Sequence, residues 1–211
     1  DLYAVPVFAD VDPNTFNMRP EELERRITKL TKAVILVDAL GNPAGLHEIL
    51  DICRAHGLPL IEDAACGLGS SERGVKCGKI ADLTCYSFHP RKLLSTGEGG
   101  AIMTDRSEWN EWLKVKLEHG AKVENGKFDF LEYGYNYRLP ELQAVMGLVQ
   151  IAKLDAIVES RIRLRDAVAK RLASAGYRAQ KIPSDVIHNV QSLVFEVPEC
   201  LSRDGLIAHL K

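Results

Sequence analysis

A lysine able to do covalent chemistry lies in a loop between two apolar runs of the 211-residue chain. The run from Leu83 to Phe88 leads into the loop, and the run from Ala101 to Met103 leads out of it. The loop contains Lys92, and a lysine amine can hold a carbonyl compound as an imine and then move a proton. The loop is too short for a parallel crossover. We therefore predict that the runs are antiparallel neighbours, with Lys92 at their shared end.

Two polar positions at predicted strand ends could join this lysine. Asp63 follows the apolar run 58–61, and Ser87 lies near the end of the next one. In α/β sheets, ligands bind beyond the carboxyl ends of the strands. Asp63 and Lys92 also have ordinary explanations, since Asp63 could cap a turn and Lys92 could be a solvated surface charge. Residue type and position alone leave both explanations open.

The segment from Ser87 to Gly100 reads Ser-Phe-His-Pro-Arg-Lys-Leu-Leu-Ser-Thr-Gly-Glu-Gly-Gly. It resembles the lysine segment of the DegT/DnrJ/EryC1/StrS family of pyridoxal-phosphate sugar aminotransferases, Ser-Phe-His-x-x-Lys-x-x-x-Thr-Gly-Glu-Gly-Gly, at every fixed position. Ile-Glu-Asp-Ala-Ala at 61–65 and Gly-Tyr-Asn-Tyr-Arg at 134–138 are similar to further signatures of this family. The resemblance runs through nearly the whole chain.

The resemblance implies a role for four residues around pyridoxal 5'-phosphate. Lys92 would form the covalent imine with the cofactor and act as the proton shuttle. Asp63 would keep the pyridine nitrogen protonated, so that the ring can accept electrons. Ser87 would bind the cofactor phosphate. Asn136 would reach the phosphate of a neighbouring subunit, which implies a homodimer with shared active sites.

Three more residues match the family at positions near the cofactor or substrate. Cys66 falls where many members have Gln or His beside the cofactor ring, although a small thiol used for packing is equally consistent. Arg138 could bind a phosphate or carboxylate of the substrate. His89 is also assigned to the substrate site. A packed histidine and an arginine that braces its own loop are the alternatives for these two positions.

Apolar periodicity in the first half predicts strands alternating with helices, which indicates an α/β domain with a mainly parallel sheet flanked by helices. The run 33–37 is typical of a strand buried on both faces. In chain order we expect a strand at 5–9, a helix from Pro20 with apolar residues through Leu30, a strand at 33–37, a helix from Leu46 to near Gly57 and a strand at 58–61.

The second half predicts a different organisation. We expect a helix at 107–118, an exposed irregular loop at 120–133, a long helical stretch from Pro140 to Leu172, a strand at 192–197 and a helix at 202–210. We place a domain boundary near residue 152. Residues 1–152 would form the large cofactor-binding α/β domain, and residues 153–211 would form part of the smaller C-terminal domain.

Composition excludes several classes of protein. The chain is 46% hydrophobic and 27% charged with a net charge of −2, which gives no indication of a nucleic-acid partner. No apolar run approaches transmembrane length, so we expect no membrane partner. The five cysteines form no CxxC pair, which favours free thiols in a reducing, cytoplasmic compartment over disulfides or a metal site.

The chain opens without methionine and stops inside a helical pattern, so we expect a piece of a longer protein. The resemblance places part of the binding site for the cofactor phosphate before the first residue. We therefore expect this chain by itself to bind pyridoxal phosphate weakly and to be inactive.

The expected fold is the fold type I architecture of pyridoxal-phosphate enzymes. The expected function is transfer of an amino group from an amino acid, glutamate in particular, to a nucleotide-diphosphate-linked keto sugar in amino-sugar or cell-surface polysaccharide biosynthesis. A sugar dehydratase of the same fold is one alternative, but such relatives tend to carry histidine in place of Lys92. A non-catalytic regulatory or sensing protein is the other alternative, and the pairing of Lys92 with Asp63 disfavours it.

Overall fold

The computed structural model of the protein describes residues 3–210, in which α-helices are interspersed with short strands. The helices are α1 (Pro20–Arg26), α2 (Leu46–Ala55), α3 (Ser107–Leu117), α4 (Glu141–Ile151), α5 (Leu154–Ala173) and α6 (Arg203–His209). The strands are β1 (Val34–Val37), β2 (Leu60–Asp63), β3 (Ser71–Glu72), β4 (Val75–Lys76), β5 (Leu83–Ser87), β6 (Gly100–Met103), β7 (Ala121–Glu124), β8 (Lys127–Phe130), β9 (Arg178–Ala179), β10 (Val186–Ile187) and β11 (Phe195–Glu196).

A four-stranded sheet in the order β1-β2-β5-β6 is the centre of the fold. The first three strands run parallel, and β6 pairs antiparallel with β5. This arrangement confirms the predicted α/β class and the mainly parallel sheet. It also confirms that the two apolar runs around Lys92 are antiparallel neighbours. Shorter sheets combine β10 with β3 and β4, β11 with β9, and β7 with β8.

One face of the central sheet is buried and the other is open. Along β1, Val34 and Leu36 are buried, whereas Ile35 is 59% exposed and Val37 is 52% exposed. The prediction of burial on both faces was therefore wrong for this strand. The cause lies in the pleat, because alternate side chains point to opposite faces and α1 and α2 pack on the buried face alone. The open face matters below because it carries Asp63.

The buried face and two helices form the hydrophobic core. In α2 the apolar residues recur at spacings of three and four, which gives the helix one buried stripe. The shorter α1 begins at Pro20 with acidic residues in its first turn, as predicted. It ends at Arg26, so the predicted apolar residue Leu30 lies outside it and is exposed. The core consists of Leu23, Val34, Leu36, Leu46, Ile49, Leu50, Cys53, Leu60 and Ile80.

The predicted irregular loop at 120–133 is a β-hairpin, so that prediction was wrong. Strands β7 and β8 pair through four residues on each side. They are joined by Asn125-Gly126, and both residues have positive φ, 51° and 75°. Asn-Gly with positive φ at both positions is the preferred two-residue hairpin turn. Apolar and polar residues alternate in both strands, which is a strand signal, although seven of the eight strand residues are exposed.

Other elements differ in extent from the predictions. No strand forms at 5–9 within the described residues, and Val5 and Phe8 are each 83% exposed. These residues have no neighbouring strand to satisfy a backbone ladder. The strand predicted at 192–197 shortens to β11, whereas α3 and α6 match their predictions within two residues. Within residues 3–210, no helix combines the length and the apolar character needed to cross a lipid bilayer.

Candidate active site

The candidate site lies on the open face of the sheet, at the carboxyl ends of the parallel strands. The register aligns Val37, Asp63, Cys85 and Ile102 across the four strands. Asp63 is the last residue of β2, and its Oδ1 accepts a hydrogen bond of 3.0 Å from the Ala65 N–H. This bond is the turn-capping contact considered from the sequence. It engages one carboxylate oxygen, and the side chain remains half-buried at the mouth of the sheet.

The lysine loop returns to the turn that follows Asp63. Lys92 Nζ lies 3.1 Å from Cys66 Sγ. The backbone N–H of Lys92 donates to the His89 carbonyl at 2.9 Å, and Thr96 N–H donates to the Phe88 carbonyl at 3.1 Å. These local bonds hold the loop in a fixed path from β5 to β6. The structure thus brings Lys92 and Cys66 together, three residues along the chain from Asp63.

Ser87 and His89 lie at the start of the same loop. Ser87 is the last residue of β5, and its Oγ accepts a bond of 3.3 Å from the His89 N–H. His89 Nδ1 faces the Arg91 N–H at 3.2 Å, and His89 Nε2 lies 3.8 Å from a Glu98 oxygen. Because Nδ1 accepts from Arg91, the other ring nitrogen carries the hydrogen. His89 is therefore oriented by its own loop, with its side chain partly exposed.

Asn136 and Arg138 are exposed and bond to each other. Arg138 Nε donates to Asn136 Oδ1 at 2.9 Å. Within residues 3–210 neither side chain has a hydrogen bond or ion pair with the lysine loop. The segment nevertheless approaches that loop, because a Cβ added to Gly99 would lie 2.9 Å from Leu139 Cδ1. The two residues thus lie near the site but are not joined to Lys92 within one chain.

The segment 188–191, which was not singled out from the sequence, forms hydrogen bonds both to the turn after Asp63 and to the lysine loop. Asn189 Nδ2 donates to the carbonyls of Cys66 and Leu68 at 2.7 and 2.8 Å. Gln191 Oε1 accepts from the Leu93 N–H at 2.6 Å, and Gln191 Nε2 donates to the Arg91 carbonyl at 2.8 Å. Gln191 therefore grips the backbone on both sides of Lys92. The available signal was an unassigned His-Asn-Val-Gln run before the predicted strand at 192–197.

Two features support this segment from outside. Arg161 on α5 donates to the carbonyls of Val190 and Gln191 at 2.8 and 3.2 Å. Gly41 makes room for Asn189, because a Cβ at Gly41 would lie 2.1 Å from Asn189 Oδ1. Gly41 also has a φ of 98°, a conformation that favours glycine. The backbone around the lysine is thus held by a segment that is distant in sequence and is itself supported on two sides.

Cys85 is a further neighbour of Asp63 that the sequence did not single out. It lies directly opposite Asp63 in the strand register. Burial, followed by the negative charges of Asp63 and Glu62, raises the pKa of the Cys85 thiol. Cys85 therefore contributes a neutral thiol beside the Asp63 carboxylate, a small and weakly polar wall for whatever binds there.

Replacing Gln191 by alanine should loosen the lysine loop. The change removes two hydrogen bonds, each contributing about 0.5–1.5 kcal/mol, so we expect a loss of about 1–3 kcal/mol in the free energy of unfolding. Amide hydrogen exchange at Leu93 should also become faster. Gln180→Ala is a matched control, because Gln180 bonds to Thr15 and Ala39 instead. Equal exchange at Leu93 in wild type and Gln191→Ala would contradict this role.

Comparison with known proteins identifies the relatives of this chain. It is 39% identical over 167 residues to an uncharacterized protein of Methanocaldococcus jannaschii, covering 75% of this chain and 43% of that protein. It is 37% identical over 179 residues to GDP-perosamine synthase of Caulobacter vibrioides, covering 84% of this chain and 48% of the synthase. The chain therefore spans about half the length of the curated relatives it matches.

The solved structures agree with this relationship. A DegT DnrJ EryC1 StrS aminotransferase from Brucella abortus superimposes with a TM-score of 0.89 at 33% identity, covering 98% of this chain and 56% of that one. The expected fold type I architecture is thereby confirmed. The DegT/DnrJ/EryC1/StrS aminotransferase family matches residues 1–211, the whole chain. The resemblance drawn from the lysine segment is correct, and the chain belongs to the DegT/DnrJ/EryC1/StrS aminotransferase family.

Proposed function

We propose that the protein is a pyridoxal-phosphate-dependent aminotransferase that moves an amino group from an amino acid to a nucleotide-linked keto sugar. The observation that carries the proposal is the 3.1 Å approach of Lys92 Nζ to Cys66 Sγ, which joins the lysine loop to the turn after Asp63. Family membership supports the reaction class. The proposal concerns the intact protein, since the relatives are about twice as long.

The residues present fit pyridoxal phosphate. Lys92 forms no ion pair within the described part of the chain, so its amine is available to an aldehyde. Asp63 lies on an open sheet face between Val37 and Cys85, where a flat ring can meet a carboxylate between weakly polar neighbours. When bound, pyridoxal phosphate supplies an aldehyde and a ring that accepts electrons from the carbon next to the transferred nitrogen.

Each residue of the chain then has a defined task. Lys92 would hold the cofactor covalently, and its free amine would carry the proton that leaves the α-carbon of the amino donor. Asp63 would stabilise the protonated ring nitrogen with its carboxylate. Ser87 would bind the phosphate through its hydroxyl. Cys66, which lies beside Lys92, would be close to the cofactor ring.

His89 and Arg138 are proposed to bind the substrate. Arg138 presents a guanidinium at the exposed edge of the site, and guanidinium groups pair with phosphates in two-point geometry. A nucleotide-linked sugar carries a diphosphate of that kind. GDP-perosamine synthase, a relative by sequence, bears the name of a nucleotide-linked amino sugar. Glutamate is the proposed amino donor.

The two half-reactions can be separated experimentally. Glutamate alone should convert the cofactor to its amine form, which removes the absorbance of the lysine-bound form and yields 2-oxoglutarate. A nucleotide-linked keto sugar should then restore that absorbance and gain an amino group, detected by mass spectrometry. A protein that binds the cofactor but shows no exchange with any amino donor would instead be a binding protein, contrary to the proposal.

The active unit is proposed to be a homodimer whose two sites each use Asn136 of the partner. Asn136 is exposed and has no bond to the lysine loop of its own chain, which leaves it available across an interface. Helix α4, which follows it, exposes six apolar residues, a surface typical of association. They are Leu142, Val145, Met146, Leu148, Val149 and Ile151.

Mixing two inactive variants tests this assembly. Asn136→Ala and Lys92→Ala subunits should each be nearly inactive as pure dimers. In a mixed dimer one site combines an intact lysine with an intact asparagine, so random exchange should restore about a quarter of the wild-type activity. Subunits that exchange, as verified by mass spectrometry, without any recovery of activity would indicate a site built within one chain.

The domain division is also part of the proposal. The boundary near residue 152 is supported by the interruption between α4 and α5. In this division residues 1–152 carry Lys92 and Asp63. Residues 153–211 supply Gln191, whose side chain hydrogen-bonds to the backbone on both sides of Lys92.

A further inference from the structure

The buried face of the central sheet carries two carboxylates with unsatisfied oxygens. Asp38 follows β1 and is 1% exposed, and Glu62 on β2 is fully buried. Glu62 Oε2 accepts from Thr84 Oγ1 at 2.6 Å and from the Gly78 N–H at 3.1 Å. Both oxygens of Asp38 and the second oxygen of Glu62 have no hydrogen-bond partner among residues 3–210. Unpartnered buried oxygens are costly, so they call for a compensating group.

The two carboxylates lie close to each other. One oxygen from each, together with Cys77 Sγ, fall within 4.8 Å of one another. In the described part of the chain no lysine, arginine or histidine forms an ion pair with either carboxylate. Two buried negative charges at this separation repel strongly. Two ionised carboxylates also cannot hydrogen-bond to each other, because both are acceptors.

We infer that Asp38 and Glu62 share one proton and form a buried acid pair that positions Asp63 and the Cys66 turn. The proton turns one carboxyl oxygen into a donor and the facing oxygen into its acceptor. It also removes one of the two charges. The proton belongs to the pair and not to one residue, as in other closely coupled carboxylates.

The groups around the pair are consistent with one shared proton. Burial, followed by the charge of Glu62, raises the pKa of Asp38 well above its ordinary value. Burial and the charges of the pair also raise the pKa of Cys77 and that of Tyr86, so the thiol and the phenol stay neutral. Asp63 contributes a further negative charge from the opposite face of the sheet. These neighbours offer no positive charge, which leaves a proton as the compensating group.

Asp38 acts as a positioning residue because it touches both segments of the candidate site. Its backbone N–H donates to the Asp63 carbonyl at 3.1 Å. Its Oδ2 lies against Gly67, where an added Cβ would come within 2.2 Å. The carboxylate thus occupies the space beneath the Cys66–Gly67 turn. The inference does not rest on the proposed function, because these contacts are made whatever ligand the site binds.

The pH dependence of unfolding tests the pair in the intact protein. Between the ordinary aspartate pKa and the raised pKa of the pair, folding takes up one proton, so stability falls as the pH rises through that range. In Asp38→Asn the amide donates permanently to Glu62, and this dependence disappears. The unfolding constant of wild type, divided by that of Asp38→Asn, should therefore rise about tenfold per pH unit just above pH 5. Parallel curves for the two proteins would overturn the inference.

Infrared spectroscopy supplies a second readout that does not depend on a variant that folds. Wild type at about pH 6, above the ordinary pKa of aspartate and glutamate, should show the carbonyl stretch of a protonated, buried carboxylic acid, and Asp38→Asn should lack it. Glu72→Gln is the matched control, because Glu72 is buried but is satisfied by the N–H groups of Gly45 and His47. Glu72→Gln should keep the band. Absence of the band in wild type, or a stoichiometric divalent metal whose removal unfolds the protein, would overturn the inference.

Discussion

Lys92→Ala should lower the rate of amino transfer by at least about a thousandfold in the intact protein. Lys92 is proposed both to attach the cofactor and to move the proton, and a positioned proton-transfer group alone contributes about 10²–10⁴. Loss of the amine also removes the contact with Cys66 Sγ. The measurement is single-turnover conversion with glutamate at saturating cofactor.

Arg91→Ala is the matched control for that variant. It changes the adjacent, exposed side chain but keeps the carbonyl that Gln191 holds. Its rate should stay within a few-fold of wild type. If Lys92→Ala retained a rate near that of Arg91→Ala, another residue would be the proton carrier and the assignment would fail.

Asp63→Asn should leave the cofactor bound but lower turnover by about a hundredfold or more. An amide has nearly the same shape as the carboxylate but cannot stabilise a protonated ring nitrogen as a charge does. Losses of this size follow the removal of one well-placed electrostatic group. The amide oxygen of this variant can still accept from the Ala65 N–H, so the turn should remain intact. Cofactor occupancy by absorbance and turnover with glutamate are measured on the same sample.

A surface carboxylate provides the comparison for Asp63. Asp51 on α2 is exposed, and Asp51→Asn removes a charge without touching the open sheet face. It should keep near-normal turnover. Near-normal turnover in Asp63→Asn as well would remove Asp63 from the proposed role and leave its turn-capping bond as its function.

The parts of the fold that could be predicted are those with local causes. The period of α2 and the Pro20-Glu-Glu start of α1 determine their own elements, and the short loop around Lys92 permits an antiparallel pair alone. The family signatures led to the correct family because they are long and fixed in spacing. Asp63 and the lysine loop could thus be assigned to neighbouring strand ends before the structure was known.

The parts that could not be predicted depend on contacts between distant residues. The grip of Gln191 on the lysine loop joins positions 98 and 100 residues apart in sequence, and nothing local marks it. The one-sided burial of β1 depends on which face the helices cover, and an apolar run by itself does not encode that face. The hairpin at 121–130 is different, because it carried two local signals that could have predicted it. These are the Asn125-Gly126 turn and the alternation of apolar and polar residues in both strands.

The attachment of the cofactor to Lys92 is the central claim, and borohydride trapping tests it most directly. Reduction of the cofactor-loaded intact protein fixes the cofactor to the nitrogen that carries it, and peptide mapping then locates the labelled residue. The label should fall on the peptide that contains Lys92, in a stoichiometry of one per chain, and Lys92→Ala should take up none. A label on any other lysine, such as the exposed Lys79, would contradict the account.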